Sequence, residues 1–373
     1  MIKPSGSAHQ PSALELSSRA PTQAGAAAHQ GQTQSVGPER QDAGATQAFS
    51  ADTLRTRVLT ASSLSLKQML VMTVLLILLA ALPWVAEQIG WDYYIGFMRR
   101  VMIIMTVTIS LNFILGYGGM VALGHAGFMG VGAYALVIAL DAGQSNVWLM
   151  LIYALLASAL FAFLIGAISI RTKGAYFIMI TLAFAQMLYY VTMSLGFLGG
   201  EDGYAIYVPF SFGAWLDEFE RTFYYLVLAI LCLVFLLNER VLKSRFGIAL
   251  KGTRENSTRM LALGYPVYAI HLCAFVMAGA VAGLGGALLA INDNYVSPQM
   301  MYFSESAALV IMIILGGMAT RWGPIIGVAV WLGLSEVLKL YTDFWHWPMG
   351  LLLIVLVFFS PQGIVGLFKK RAS

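Results

Sequence analysis

The sequence predicts an all-α integral membrane protein of about ten transmembrane helices, several of them glycine-rich and bent or broken. Three observations carry that prediction. Of 373 residues, 59% are hydrophobic and only 11% charged, against roughly 45–50% and about 25% in an ordinary soluble domain. A soluble chain of this size needs more charge to cover its surface, so that class is excluded. From Met69 onward the apolar residues gather in successive runs, each approaching or reaching the roughly 20 residues that a helix needs to cross a bilayer. Finally, many of the 37 glycines concentrate in three stretches within or beside those runs. The net charge of +4 is small and scattered, so the surface to expect is membrane lipid and not nucleic acid.

The first 66 residues differ from the rest. They are rich in Ala, Gln, Ser, Thr and Gly, with Phe49 their only aromatic. Such a stretch buries too little apolar surface to offset its ordering entropy and reads as a disordered polar tail. It contains no apolar core with a cleavage site, so it does not read as a signal peptide. His9 and His29 within it read as incidental solvated residues. The membrane domain is 67–371. Its predicted spans are 69–86, 101–115, 120–140, 147–170, 174–193, 222–237, 267–291, 306–316, 324–340 and 348–360. The second, eighth and tenth are short and extend into their flanks. Cys232 and Cys273 lie in apolar runs and read as buried free thiols, not as a disulfide framework.

Orientation follows from the basic residues. The longest basic connection, 238–266, carries Arg240, Lys243, Arg245, Lys251, Arg254 and Arg259. The approach to the first span (Arg55, Arg57, Lys67), the C-terminal Lys369, Lys370 and Arg371, and the short loops at Arg171, Lys173 and Arg321 fall on the same side if ten spans are present. The opposite side takes Glu201, Asp202, Asp217, Glu218 and Glu220, then Asp293 and Glu305. Both termini are therefore expected in the cytoplasm. Arg99 and Arg100 fit poorly, because they fall near the outer end of the second span.

The glycine stretches are GYGGMVALGHAGFMGVGAY from Gly116, AFVMAGAVAGLGGALLA from Ala274, and ILGGMATRWGPIIGVAV from Ile314. Small residues spaced by four, such as Gly279 and Gly283, let helix backbones approach closely in lipid. Gly286, Gly316 and Gly317 belong with them as packing positions. The density of glycine around residues 116–132 also suits a broken helix, which persists at membrane depth only where protein or a water-filled cavity covers it. Helix packing alone and the lining of a translocation path both fit these residues. His125, in the middle of the first stretch, is a functional candidate because it is ionisable and intramembrane, although a hydrogen bond to a neighbouring carbonyl accounts for it more simply. Gly124, His125 and Gly127 are the candidate path residues, with Asn112 behind them. Asn112 also fits a helix–helix hydrogen bond. His271 reads as packed or interfacial, and Glu336 with Lys339, three apart on one helix, can pair.

Catalytic chemistry is missing from the pattern. There is no GxxxxGK[ST] string, no HExxH, no zinc-spaced Cys/His set and no GxSxG elbow. The sequence points to no catalytic residue and no metal site, and it gives the chain itself no route to ATP hydrolysis by a phosphate loop. The insert GIALKGTRENSTRMLALGY, 247–265, stands apart as polar and basic. Thr253 can cap a short helix starting at Arg254 and Glu255, and Gly264 followed by Pro266 can end it. A surface helix offered to a soluble partner and an ordinary solvated loop both fit its composition.

The same insert resembles the cytoplasmic loop of branched-chain amino acid ABC-transporter permeases of the LivM type. The ordered series GYGGMVALGHAGFMGVGAY, YVSPQM, ILGGMATRWGPIIG and FFSPQGIVGLF resembles that family too, over about residues 70–370. The resemblance implies an ABC importer permease fold and a binding-protein-dependent importer. Its expected partners are a second homologous permease, two ATPase subunits carrying ATP and magnesium, and a periplasmic substrate-binding protein; no cofactor is expected in this chain. It implies a coupling helix in 238–266, mapped onto Thr253, Arg254, Glu255, Asn256, Arg259 and Gly264, and a bacterial inner-membrane location. Ser257, Arg259 and Met260 depart from the family's usual loop, which commonly carries an acidic residue and paired alanines. Related permeases move urea, short amides or aromatic acids, so the amino acid substrate is less firmly implied than transport. A stand-alone secondary carrier and a membrane scaffold are the other classes to weigh; the first predicts a coupling-ion acid, and no convincing one is present.

Overall fold

The computed structural model describes residues 77–84, 92–207, 210, 219–342, 344, 346–359 and 363–370. The predicted tail 1–66, the start of the first span at 69–76, and Asp217 and Glu218 lie outside the described residues. The described chain is almost entirely helical. Helix α1 covers 77–84, α2 Asp92–Asn112, α3 His125–Asp141, α4 Val147–Ser169, α5 Ala175–Ser194 and α6 Phe219–Lys243. Two short helices follow, α7 Arg245–Glu255 and α8 Ser257–Ala262; then come α9 Val267–Asp293, α10 Phe303–Gly316, α11 Gly323–Tyr341, α12 His346–Phe359 and α13 Gly363–Lys370. A two-residue strand, β1 (Tyr204–Ala205), pairs antiparallel with β2 (Tyr295–Val296). Six helices are long and apolar enough to cross a membrane among the described residues: Tyr93–Tyr117, Val147–Ser169, Ala175–Ser194, Phe219–Lys243, Val267–Asp293 and Gly323–Tyr341. Helices α3 and α10 are shorter and equally apolar.

Local chemistry explains the helix limits. Asn146 caps α4, its side chain accepting from Trp148 N at 3.0 Å. Ser244 caps α7 through Gly247 N, and Pro324 sits in the first turn of α11, where a missing N–H costs nothing. The second predicted span, drawn at 101–115, is longer: α2 begins at Asp92 and continues through a π turn, Phe113–Tyr117. Arg99 and Arg100 are therefore helical residues and not part of a loop. The Arg99 side chain is buried beneath Phe223, 5.4 Å from its ring, and ion-paired with Glu220. Arg100 reaches Asp293 at 3.9 Å. A local reading missed this because both acidic partners are far away in sequence.

The core forms where glycine and alanine let backbones meet. Helix α9 packs along both α3 and α4. A Cβ on Gly283 would overlap Ser158 Oγ of α4, one on Gly286 would overlap the Met129 carbonyl of α3, and one on Gly279 would lie 2.5 Å from the Ala162 Cβ. The same device joins α10 to α11, where a Cβ on Gly316 would overlap the Gly323 carbonyl. Gly317 turns the chain between them with φ 117°. Outer faces carry large apolar side chains instead, among them Leu156, Leu160 and Leu164 of α4. Cys273, expected to be buried, is exposed on α9, and Cys232 is half-buried.

Polar groups sort to the two ends of this bundle. At one end Arg99 meets Glu220, Arg100 meets Asp293, Tyr93 donates to Glu336 at 2.5 Å and Tyr204 to Asp141 at 2.7 Å. Lys339 lies 3.8 Å from the same Glu336. At the other, Glu239 pairs with Arg321 at 3.1 Å and Lys243 at 3.7 Å, beside the α7–α8 insert.

Candidate functional site

The candidate path residues fall into two separate groups. His125 opens α3 and is fully buried, with Nε2 2.9 Å from Ser110 Oγ on α2. Ser110 donates its own proton to Val107 O at 2.7 Å, so it accepts from the ring. That network assigns the proton to Nε2 and leaves a bare lone pair on Nδ1, which has no partner among the described residues. The histidine's partner is thus a hydroxyl on another helix, not the neighbouring carbonyl that the sequence suggested. Gly124 and Gly127 face α5: a Cβ on Gly124 would overlap the Thr181 carbonyl, and one on Gly127 would lie 3.3 Å from the Ala185 Cβ. Ala126 N donates to Ser306 Oγ of α10 at 3.1 Å. The start of α3 is therefore gripped by α2, α5 and α10.

Asn112 does not stand behind these glycines. Its amide nitrogen donates to Thr320 O at 3.2 Å and its oxygen accepts from Ala319 N at 3.1 Å. It clamps the α10–α11 turn, where Ala319 holds a left-handed φ of 56°, a conformation that costs a non-glycine residue energy. Ser110, two residues earlier, occupies the place expected for Asn112. Nothing in the local pattern singles it out, since a serine in an apolar helix ordinarily bonds its own backbone. Ser110 also borders a cavity of about 240 Å³ between α2, α6 and α9, with Phe113, Val234, Leu237 and Met277 on its walls and Asn238 as a second polar group. Such a cavity can take an aliphatic group, and no charged side chain lines it.

The insert contains two helices where one was predicted. Thr253 is not a cap: it is buried within α7, donating to Leu250 O at 2.8 Å and lying 3.0 Å from His271 Nε2 of α9. Asn256 is the cap, its oxygen accepting from Arg259 N at 2.8 Å to start α8. Gly264 ends α8 as the sequence suggested, with φ 83°. Gly247, Ala249, Leu250 and Thr253 of α7 are buried, whereas α8 buries none of its residues. Glu255 and Arg259 are exposed, and Leu261, Leu263, Tyr265 and Ile248 present large apolar side chains to the outside. Arg254 points the other way, its guanidinium donating to Gly116 O at the π turn of α2. Lys251 sits 5.4 Å from the ring of Tyr117 and donates to Leu242 O. Burial, with Arg321 adding to it and Glu239 opposing it, draws the Lys251 ammonium below its ordinary pKa.

A family model described as "Branched-chain amino acid transport system / permease component" matches residues 93–360, which is most of the chain. The chain belongs to this permease family. The high-affinity branched-chain amino acid transport system permease protein LivM of Salmonella typhimurium is 27% identical over 333 residues, covering 82% of this chain and 77% of the relative. The protein of that description from Escherichia coli is likewise 27% identical, over 335 residues and with the same coverage. A probable LivH permease of Methanocaldococcus jannaschii is 29% identical over 141 residues, 35% of this chain and 43% of that protein. No solved structure matches the chain. The permease is of the LivM type, and with its apolar helices it is a multi-pass membrane protein. Permeases of this family are transport subunits, a role that asks for packed helices and partner surfaces and not for reacting groups.

Proposed function

We propose that this permease is the membrane-spanning subunit of an ATP-driven, binding-protein-dependent importer that carries branched-chain amino acids by alternating access. It crosses a bacterial inner membrane about ten times with both termini in the cytoplasm. It works with a second permease, with two ATPase subunits that hold ATP and magnesium, and with a periplasmic binding protein that sets most of the selectivity. Helices α7 and α8 form the coupling element that meets an ATPase subunit. The observation that carries this reading is α8 itself: a six-residue helix with no buried residue that holds Leu261 and is followed by Leu263, each more than half exposed, within a basic insert. Exposed apolar side chains rimmed by polar ones mark a protein interaction surface, and an anchor of this kind contributes most of an interface's binding energy.

The His125–Ser110 contact and the start of α3 line or gate the path in this account, since irregular backbone at membrane depth is characteristic of transporter pathways. The aliphatic walls beside Ser110 suit a branched side chain. Weak contacts suffice, because tight binding would slow release. The test is uptake of labelled leucine, isoleucine and valine into proteoliposomes containing the complex purified with this permease. Uptake is expected only with ATP inside the ATPase-facing compartment and the binding protein on the opposite side. Uptake by the permease alone without ATP would overturn the importer reading in favour of a secondary carrier.

A further inference from the structure

We propose that Arg254 is a positioning residue that ties the insert to the irregular backbone of residues 113–124, so that movement of the insert is handed on to the His125–Ser110 contact. This rests on the coupling role proposed above for α7 and α8, and it names the link inside the permease through which that role operates.

The geometry starts at the end of α2. The π turn Phe113–Tyr117 gives up the regular hydrogen-bond ladder: Gly118 N donates to Phe113 O at 3.2 Å and Met120 N to Ile114 O at 3.0 Å. Carbonyls at a helix end need partners from elsewhere, and a π turn inside a helix often marks a functional position. The Gly116 carbonyl is met by the guanidinium of Arg254, 138 residues further along the chain. The stem of the same side chain lies against Gly119, where an added Cβ would be 2.8 Å from Arg254 Cγ and 3.5 Å from Arg254 Cβ. Gly119 holds φ 71°, a conformation that favours glycine and costs another residue about 1–2 kcal/mol, and its missing side chain leaves the space that Arg254 fills. One turn earlier on α7, Lys251 covers the ring of Tyr117. Two successive basic side chains thus fasten one helix of the insert to one turn of α2.

The other side of that turn is held as well. A Cβ on Gly116 would lie 2.7 Å from Ala319 N, and Asn112 bonds the same turn between α10 and α11. From Gly118 the chain runs without helix through residues 118–124 and returns to Ser110, about two turns of α2 above Tyr117. There it opens α3 at His125. Any displacement of Gly116–Gly119 has this short segment as its outlet, and α3 begins where the segment ends. Arg254, Glu255 and Arg259 are all exposed over much of their surface, but among the described residues only the Arg254 guanidinium turns inward to a backbone carbonyl of α2.

The test uses the complete importer in proteoliposomes, with uptake and ATP hydrolysis measured together. Arg254→Gln is expected to keep the ATPase subunits bound and hydrolysing while uptake per ATP falls about tenfold, within the ordinary range of coupling between two sites. Arg254→Lys should recover part of the ratio. A second variant makes the link covalent. With Cys232 and Cys273 replaced by serine, Gly119→Cys combined with Arg254→Cys brings two Cβ atoms to a separation that a disulfide accepts, roughly 3.5–4.5 Å. Reduced, this protein should be uncoupled; oxidised, it should regain uptake per ATP. A cross-link that fails to form, or that forms without restoring the ratio, overturns the proposal. So does loss of the ATPase subunits from Arg254→Gln, which would make Arg254 a docking residue. An unchanged ratio in Arg254→Gln overturns it too. If Leu261→Glu then still abolishes ATPase binding, the coupling role of the insert survives without this link; if it does not, both fall.

Discussion

Two helices stand side by side in the insert and are built for opposite purposes. Helix α7 buries Gly247, Ala249, Leu250 and Thr253, bonds α9 through Thr253 and His271, and reaches α2 through Arg254. Helix α8, following after the single residue Asn256, buries nothing and carries Leu261 outward. Helix α7 carries two glycines, which weaken a helix, and yet it is the buried one of the two, so helix propensity does not account for the difference. What separates them is contact with the bundle. A buried helix transmits force because packed cores resist deformation, and an exposed apolar one is free to be gripped. Together they read as an anchor and a handle.

Several substitutions would break or sharpen that contrast. The largest effect is expected from Leu261→Glu combined with Leu263→Glu. Anchor residues at an interface contribute about 2 kcal/mol or more each, so ATPase affinity should fall about a thousandfold. Thermal stability of the isolated permease should change by no more than about 0.5 kcal/mol, as for other exposed positions. Leu250→Ala, one helix earlier, should do the reverse. Leu250 is fully buried, and its truncation should cost about 2–5 kcal/mol, read as a lower melting temperature in detergent. Next comes Gly283→Ala, where the new Cβ meets Ser158 Oγ. Overpacking of that kind costs about 1–3 kcal/mol, and it should leave ATPase binding intact. The smallest effect is Thr253→Val, which removes the hydrogen bond to His271 and should cost about 0.5–1.5 kcal/mol. If Leu250→Ala and Leu261→Ala destabilised the isolated permease equally, the distinction between the two helices would be lost.

The parts of the molecule legible in the sequence are those determined by local periodicity and composition. The runs 147–170 and 267–291 match α4 and α9 to within two residues, because each is a single apolar block with polar punctuation. Gly264 is legible as a helix end because glycine suits the left-handed position there and Pro266, two residues on, cannot continue the helix. The cap of α8 is not. Thr253 and Asn256 are both good capping residues, and the choice is made by packing, since Met260 folds back over Gly252 and Thr253 is taken by His271. The apolar run 101–115 is shorter than helix α2, and Arg99 and Arg100 fit poorly at the outer end of that span when read from sequence alone. Their partners Glu220 and Asp293 come from distant helices, and no local pattern announces such pairs. The path candidates show the same limit. Gly124, His125 and Gly127 do lie together, but Asn112 is committed to the Ala319 turn and Ser110 replaces it, a difference set by which way one helix face points.

Co-purification tests the central claim most directly: the intact permease and the Leu261→Glu, Leu263→Glu variant are drawn from their native membranes in mild detergent and the accompanying chains identified. The account predicts that a second permease and ATPase subunits accompany the intact protein, and that the variant keeps the second permease and loses the ATPase. An intact permease that arrives alone, or a variant that retains its ATPase in full, would contradict it.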